Sequence, residues 1–184
     1  PKTEFETPKE LSIKEIKATL TDYKKAGENA LEAGFDGVEL HAANGYLPDQ
    51  FLQDNSNHRE DDYGGTLENR ARFLLEATDE VIKVWGADRV GVHLAPRCDF
   101  HSMGDSNPLA TFGYVVRQLN ERNIAFIFTR EHQAGDSISP QLRKMFKGVF
   151  IGNEGFTKES ASLALQSGLV DAVAFGKAFI ANPD

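Results

Sequence analysis

The chain has 184 residues, 40% of them apolar, which is enough for one well-cored domain. Twenty Lys and Arg stand against 28 Asp and Glu, a formal net charge of −8, which argues against a nucleic-acid partner, since that needs a basic face, and disfavours an anionic membrane surface. The single cysteine, Cys98, has no partner for an internal disulfide and fits a reducing compartment, making the cytoplasm the expected location.

No apolar run reaches the roughly 18 residues of a membrane span, and Pro1–Glu10 is too charged for a signal peptide. A start at Pro1 points to a processed or truncated chain. Ile13, Ile16, Leu20, Ala26 and Ala30 recur at helical spacing over Ser12–Glu32, and Gly34 marks the end of that helix. Gly37–His41 is a short apolar strand, followed by a polar, glycine-bearing loop to Gly65. A long helix from Leu67 to about Trp85 is capped by Thr66. Strands then follow at Arg89–Ala95, Ile124–Thr129, Val149–Gly152 and Ala172–Phe175, separated by helices at Pro108–Arg122, Pro140–Phe146 and Lys158–Ser167.

Five strands, each apolar on both faces, predict an α/β protein with a parallel sheet covered by helices, in a single domain over 1–184. A closed (β/α)8 TIM barrel usually takes about 250 residues. Five βα units are therefore either an open doubly wound sheet or the later part of a barrel without its opening strands. The informative polar residues sit just after strands, where both architectures keep their sites, and their placement favours the partial barrel.

His41, Asn44 and Tyr46 come first among those residues. A sharp turn after His41 would bring two hydrogen-bond donors and a phenol to one mouth of the sheet. His41 and Asn44 could donate to a substrate oxygen as charge builds on it, with Tyr46 as general acid. The plain structural alternative is a backbone-bonded histidine and a packed tyrosine. The loops Gly152-Asn153-Glu154-Gly155 and Gly176-Lys177 close the last two strands, a usual place for a phosphate held by backbone N–H groups.

Other polar features read as structural. Asn57–Phe73, with Arg59, Asp61, Tyr63, Gly64 and Arg70, is expected to be a loop pinned by ion pairs and caps. The five histidines (41, 58, 93, 101 and 132) show no metal-ligand spacing, so no metal is expected. His93, inside an apolar strand, has the pattern of a satisfied core histidine, and Cys98 that of an incidental thiol.

Three segments in order resemble the flavin-dependent old yellow enzyme family of ene-reductases. They are Gly34–Asp54 (GFDGVELHAANGYLPDQFLQD), Asn57–Phe73 (NHREDDYGGTLENRARF) and Ala172–Asp184 (AVAFGKAFIANPD). The resemblance implies the later portion of an FMN-containing eight-stranded barrel, reduced by NADPH or NADH and oxidised by an activated alkene or nitro compound. It implies that His41 and Asn44 hold the substrate oxygen and that Tyr46 protonates the α-carbon. It also implies that His93 lies against the flavin, with Asn153, Glu154, Gly155, Gly176 and Lys177 at the FMN phosphate.

Departures accompany the match. His93 and Lys177 stand where many members carry arginine, and Glu154 where glycine is common, so the Glu154 side chain is expected to point away from a phosphate. The family's opening strands have no counterpart here, which implies an open barrel needing the missing N-terminal segment, a partner or a second copy. Two alternatives follow: a non-catalytic partial-barrel module with idle motif residues, and a flavodoxin-like electron carrier.

Overall fold

Ser12 opens the first helix with a reciprocal cap: its hydroxyl accepts from the Glu15 N–H, and the Glu15 side chain accepts from the Ser12 N–H. Helix α1 (Ile13–Glu32) then buries Ile16, Leu20 and Gly27. In the computed structural model, which describes residues 6–183, strand β1 (Val38–Ala42) follows. The first half of the charged N-terminal stretch and the final Asp184 lie outside the described residues. Next come helix α2 (Leu47–Leu52), helix α3 (Leu67–Trp85), strand β2 (Val90–Leu94), helix α4 (Pro108–Glu121) and strand β3 (Phe126–Arg130). Helix α5 (Ser139–Met145), strand β4 (Val149–Asn153), helix α6 (Lys158–Gln166), strand β5 (Ala172–Ala174) and helix α7 (Lys177–Ala181) complete the order.

All strand pairs are parallel, and the spatial order β1-β2-β3-β4-β5 equals the chain order. A doubly wound sheet must reverse its strand order at a switch point. None occurs here, so the open doubly wound and flavodoxin-like alternatives fall, and the chain is five βα units of a (β/α)8-type barrel.

The strands are not apolar on both faces, as the sequence suggested. Leu40, Ala42, Val90, Val92, Leu94, Ile127 and Phe150 are buried on one face. The alternate positions, Glu39, His41, His93, Phe126, Phe128 and Arg130, are half-buried or exposed on the other. The core lies between the first face and the helices. There Phe51 stacks on Phe73 at 4.4 Å, and Trp85 donates from its indole N–H to the Gly27 carbonyl at 3.0 Å.

Three corrections to the predicted elements bear on the site. Strand β1 runs one residue past His41, and β3 extends to Arg130, placing a cation at the mouth. Helix α2 lies inside the segment assigned to loop. Its six residues are too few to show a helical period, and its N-cap Tyr46 makes no side-chain capping bond. The α7 turn was likewise too short to be legible. The stretch from Asn57 does form the expected pinned loop: Arg59 reaches Asp61 with two N–H groups and the Leu11 carbonyl with a third. Among the described residues, no helix is long and apolar enough to cross a membrane.

Candidate active site

The turn after β1 is built on two successive left-handed residues, Asn44 (φ 59°) and Gly45 (φ 77°). Asparagine tolerates this region better than most residues, and glycine occupies it freely. A side chain at Gly45 would also collide with His101, whose Cβ lies 2.9 Å from the position of an added Cβ. From the next helix, the buried Asp49 carboxylate accepts from the Gly45 N–H at 2.9 Å, and Gln50 donates to the Gly45 carbonyl at 2.6 Å. The chain therefore doubles back and brings Tyr46 over His41, their rings edge to face at 5.2 Å.

Tyr46 is 59% exposed, so its phenol is presented to the mouth. The His41 imidazole has its pKa lowered from the ordinary value by burial, with nearby His93 adding to the effect and Glu39 opposing it. It is thus a neutral N–H donor at pH 7. The Asn44 carboxamide oxygen accepts from Arg130 Nη1 at 2.6 Å, which leaves its NH2 end free of that bond.

Arg130 is not among the residues the sequence singles out, because the apolar run there ends at Thr129; a cation on the last residue of a parallel strand is the available signal. Its other nitrogen, Nη2, donates to Glu154 Oε1 at 3.0 Å, and its guanidinium lies 4.4 Å from the centre of the Phe100 ring. Arg130 thereby joins the β1 turn to the loop after β4. Glu154, at φ 79°, spends its carboxylate on this pair.

The remaining expected residues form a second group at the ends of β4 and β5. The Asn153 side chain donates to the Ala174 carbonyl at 2.8 Å, which ties the end of β4 to β5. Gly155 takes φ 76°, and Gly176 has no atom within 4 Å of an added Cβ. Lys177 opens α7 and is exposed. His93 is not the satisfied core histidine its strand suggested. Its Nδ1 lies 3.5 Å from Glu39 Oε1, while its buried Nε2 has no hydrogen-bond partner. Burial raises the Cys98 pKa, in keeping with an unreactive thiol.

The chain is 46% identical over 189 residues to 12-oxophytodienoate reductase 2 of Arabidopsis thaliana, covering 98% of this chain and 50% of that protein. The old yellow enzyme homologue of Zymomonas mobilis superposes with a TM-score of 0.95 at 42% identity, covering 100% of this chain and 54% of the other. Morphinone reductase in complex with tetrahydroNAD superposes at 0.93, also with 42% identity, covering 97% and 50%. The chain thus spans about half the length of the curated relatives it matches. The family model for NADH:flavin oxidoreductases and NADH oxidases matches residues 2–184. This chain belongs to the NADH:flavin oxidoreductase / NADH oxidase family.

Proposed function

We propose that the chain supplies the later, C-terminal βα units of an FMN-dependent barrel that reduces activated C=C bonds of enones or nitro compounds, with electrons from NADPH or NADH. The observation that carries this reading is the turn itself. In the turn after β1 the Tyr46 ring lies edge to face on His41, and Arg130 holds the neighbouring Asn44 carboxamide by its oxygen.

The residues fit FMN. His93 leaves a buried ring nitrogen unpartnered, Gly176 stands in open space beside the Lys177 ammonium, and Glu154 is engaged by Arg130. His93, Gly176, Lys177 and the backbone of Asn153, Glu154 and Gly155 would hold the cofactor. When bound, FMN would supply the hydride for the β-carbon of the alkene. The chain's own residues do the rest. His41 and Asn44 donate N–H groups to the carbonyl or nitro oxygen as negative charge builds there. Tyr46, beside His41, delivers its phenolic proton to the α-carbon. The other strands of the flavin site would come from a preceding segment, a partner or a second copy of this chain, and the single half-buried thiol favours a reducing cytoplasm.

Stopped-flow kinetics on flavin-loaded protein test the assignment. Tyr46→Phe should slow alkene-dependent flavin reoxidation by about 10²–10⁴-fold and leave flavin reduction by NADPH unchanged. Equal alkene rates in the two proteins would remove Tyr46 from the mechanism. The outer edges of β1 and β5, unpaired among the described residues, favour one other reading: an assembly module whose motif residues are idle. A flavin-free monomer that unfolds cooperatively, seen by light scattering and urea titration, would support that module.

A further inference from the structure

The loop after β4 takes two successive left-handed residues, Glu154 (φ 79°) and Gly155 (φ 76°). Glycine occupies that region freely, and at Gly155 an added Cβ would also lie 2.9 Å from His132 Nδ1. Glutamate suits it poorly, because an L side chain crowds its own backbone at positive φ. The ion pair with Arg130 offsets little of that strain. The Glu154 side chain is 36% exposed, and solvent-screened pairs of this kind add little to stability. A strained residue whose side chain does so little for the fold points to a role in the site.

The carboxylate holds the guanidinium that holds Asn44. Arg130 Nη2 donates to Glu154 Oε1 at 3.0 Å, while Nη1 donates to Asn44 Oδ1 at 2.6 Å and lies 3.6 Å from Cys98 Sγ. The guanidinium also rests on the exposed Phe100 ring. Glu154 is the only ion-pair partner of Arg130 among the described residues. Without it a long arginine side chain is free to follow solvent. The Asn44 carboxamide is then free to turn its oxygen toward the mouth, where an enone or nitro oxygen needs an N–H.

We propose that Glu154 is a positioning residue: through Arg130 it keeps the Asn44 carboxamide turned with its NH2 toward the substrate oxygen. As a part in alkene reduction this rests on the function proposed above, whereas the orientation of Asn44 does not. The link crosses the sheet mouth from the loop after β4 to the turn after β1, so no local motif discloses it.

Side-chain amide NMR of the flavin-free full chain reads that orientation directly, with the Asn44 signal assigned by its loss in Asn44→Ala. Glu154→Gly and Arg130→Met should move the signal in the same direction. Glu154→Gln keeps an oxygen for Arg130 and should move it less. The urea midpoint of Glu154→Gly should be no lower than the parent's, since glycine relieves the left-handed strain. Stopped-flow reoxidation of flavin-loaded protein by 2-cyclohexenone reads the consequence. Glu154→Gly should slow it by about 3–30-fold, less than Arg130→Met does, as for neighbours coupled in one network. In the Arg130→Met background the same change should add less than about 2-fold, because its route is already cut. Any of four results would overturn the role: an unmoved Asn44 signal in Glu154→Gly, a midpoint clearly below the parent's, an unchanged enone rate, or a full further loss on top of Arg130→Met. A parent protein that does not reduce the enone would count against the proposed function instead, and the Asn44 signal would still decide the role of Glu154.

Discussion

Asn44 is oriented by a residue 86 positions away. Local sequence could place His41, Asn44 and Tyr46 in one turn, but not the cation that decides which end of the carboxamide faces outward. A charge-assisted hydrogen bond contributes about 1.5–3 kcal/mol, so Arg130→Met should lower kcat/KM for the alkene by about 10–100-fold. Arg130→Lys keeps the charge without the two-pronged geometry and should fall between. Steady-state assays of the three proteins check the order, and an unchanged kcat/KM in Arg130→Met would mean that Asn44 is held by other contacts.

Asp49 gives the same turn a pH signature. Burial pushes its carboxyl up to about 6 from 3.8, despite hydrogen bonds from Gln53 and Gly45. Between those values the unfolded chain has released the proton and the folded chain still holds it, so this group's contribution to stability falls as pH rises from about 4 to 6. The stability advantage of the parent over Asp49→Asn, from urea midpoints, should be larger at pH 4 than at pH 7. An equal or larger advantage at pH 7 would contradict the assignment.

At the scale of elements, legibility tracked length and capping. Helix α3 lay open to reading because 19 residues repeat an apolar stripe between Thr66 and Gly86. Helix α2 did not, since its six residues are fixed by tertiary contacts such as Asp49 to Gly45 rather than by propensity. Strand composition misled more than strand position: the alternation Val-Glu-Leu-His-Ala in β1 marks one polar face, and that face carries the site. In the Asn57–Phe73 stretch the expected pinning is present, with Arg59 bonded to Asp61 and Leu11, and its packing sets a sharp test. A Cβ at Gly64 would stand 2.3 Å from the Arg59 carbonyl oxygen, a backbone atom that cannot swing aside. Gly64→Ala should therefore destabilise the fold by about 1–3 kcal/mol or more, measured by chemical denaturation. A neutral result would show that the loop is free to rearrange.

For the molecule as a whole, sequential strand order distinguishes half of a barrel from an open sheet, and only coordinates supply that order. The sheet's second face bears His41, His93 and Arg130, whose neighbours in a closed barrel would come from strands beyond these five. The match to half of each relative agrees with that geometry. The central claim is that this half carries the donors and the acid of an FMN-dependent alkene reduction. Its most direct measurement is anaerobic reoxidation of reduced flavin by 2-cyclohexenone. The sample is this chain co-expressed with the N-terminal half of the Zymomonas mobilis old yellow enzyme homologue, beside its Tyr46→Phe counterpart. The complex should be yellow and reoxidised by 2-cyclohexenone, with that step slowed about 10²-fold or more in Tyr46→Phe. A complex that retains flavin but reoxidises equally fast in both forms, or never reacts with the enone, would contradict it.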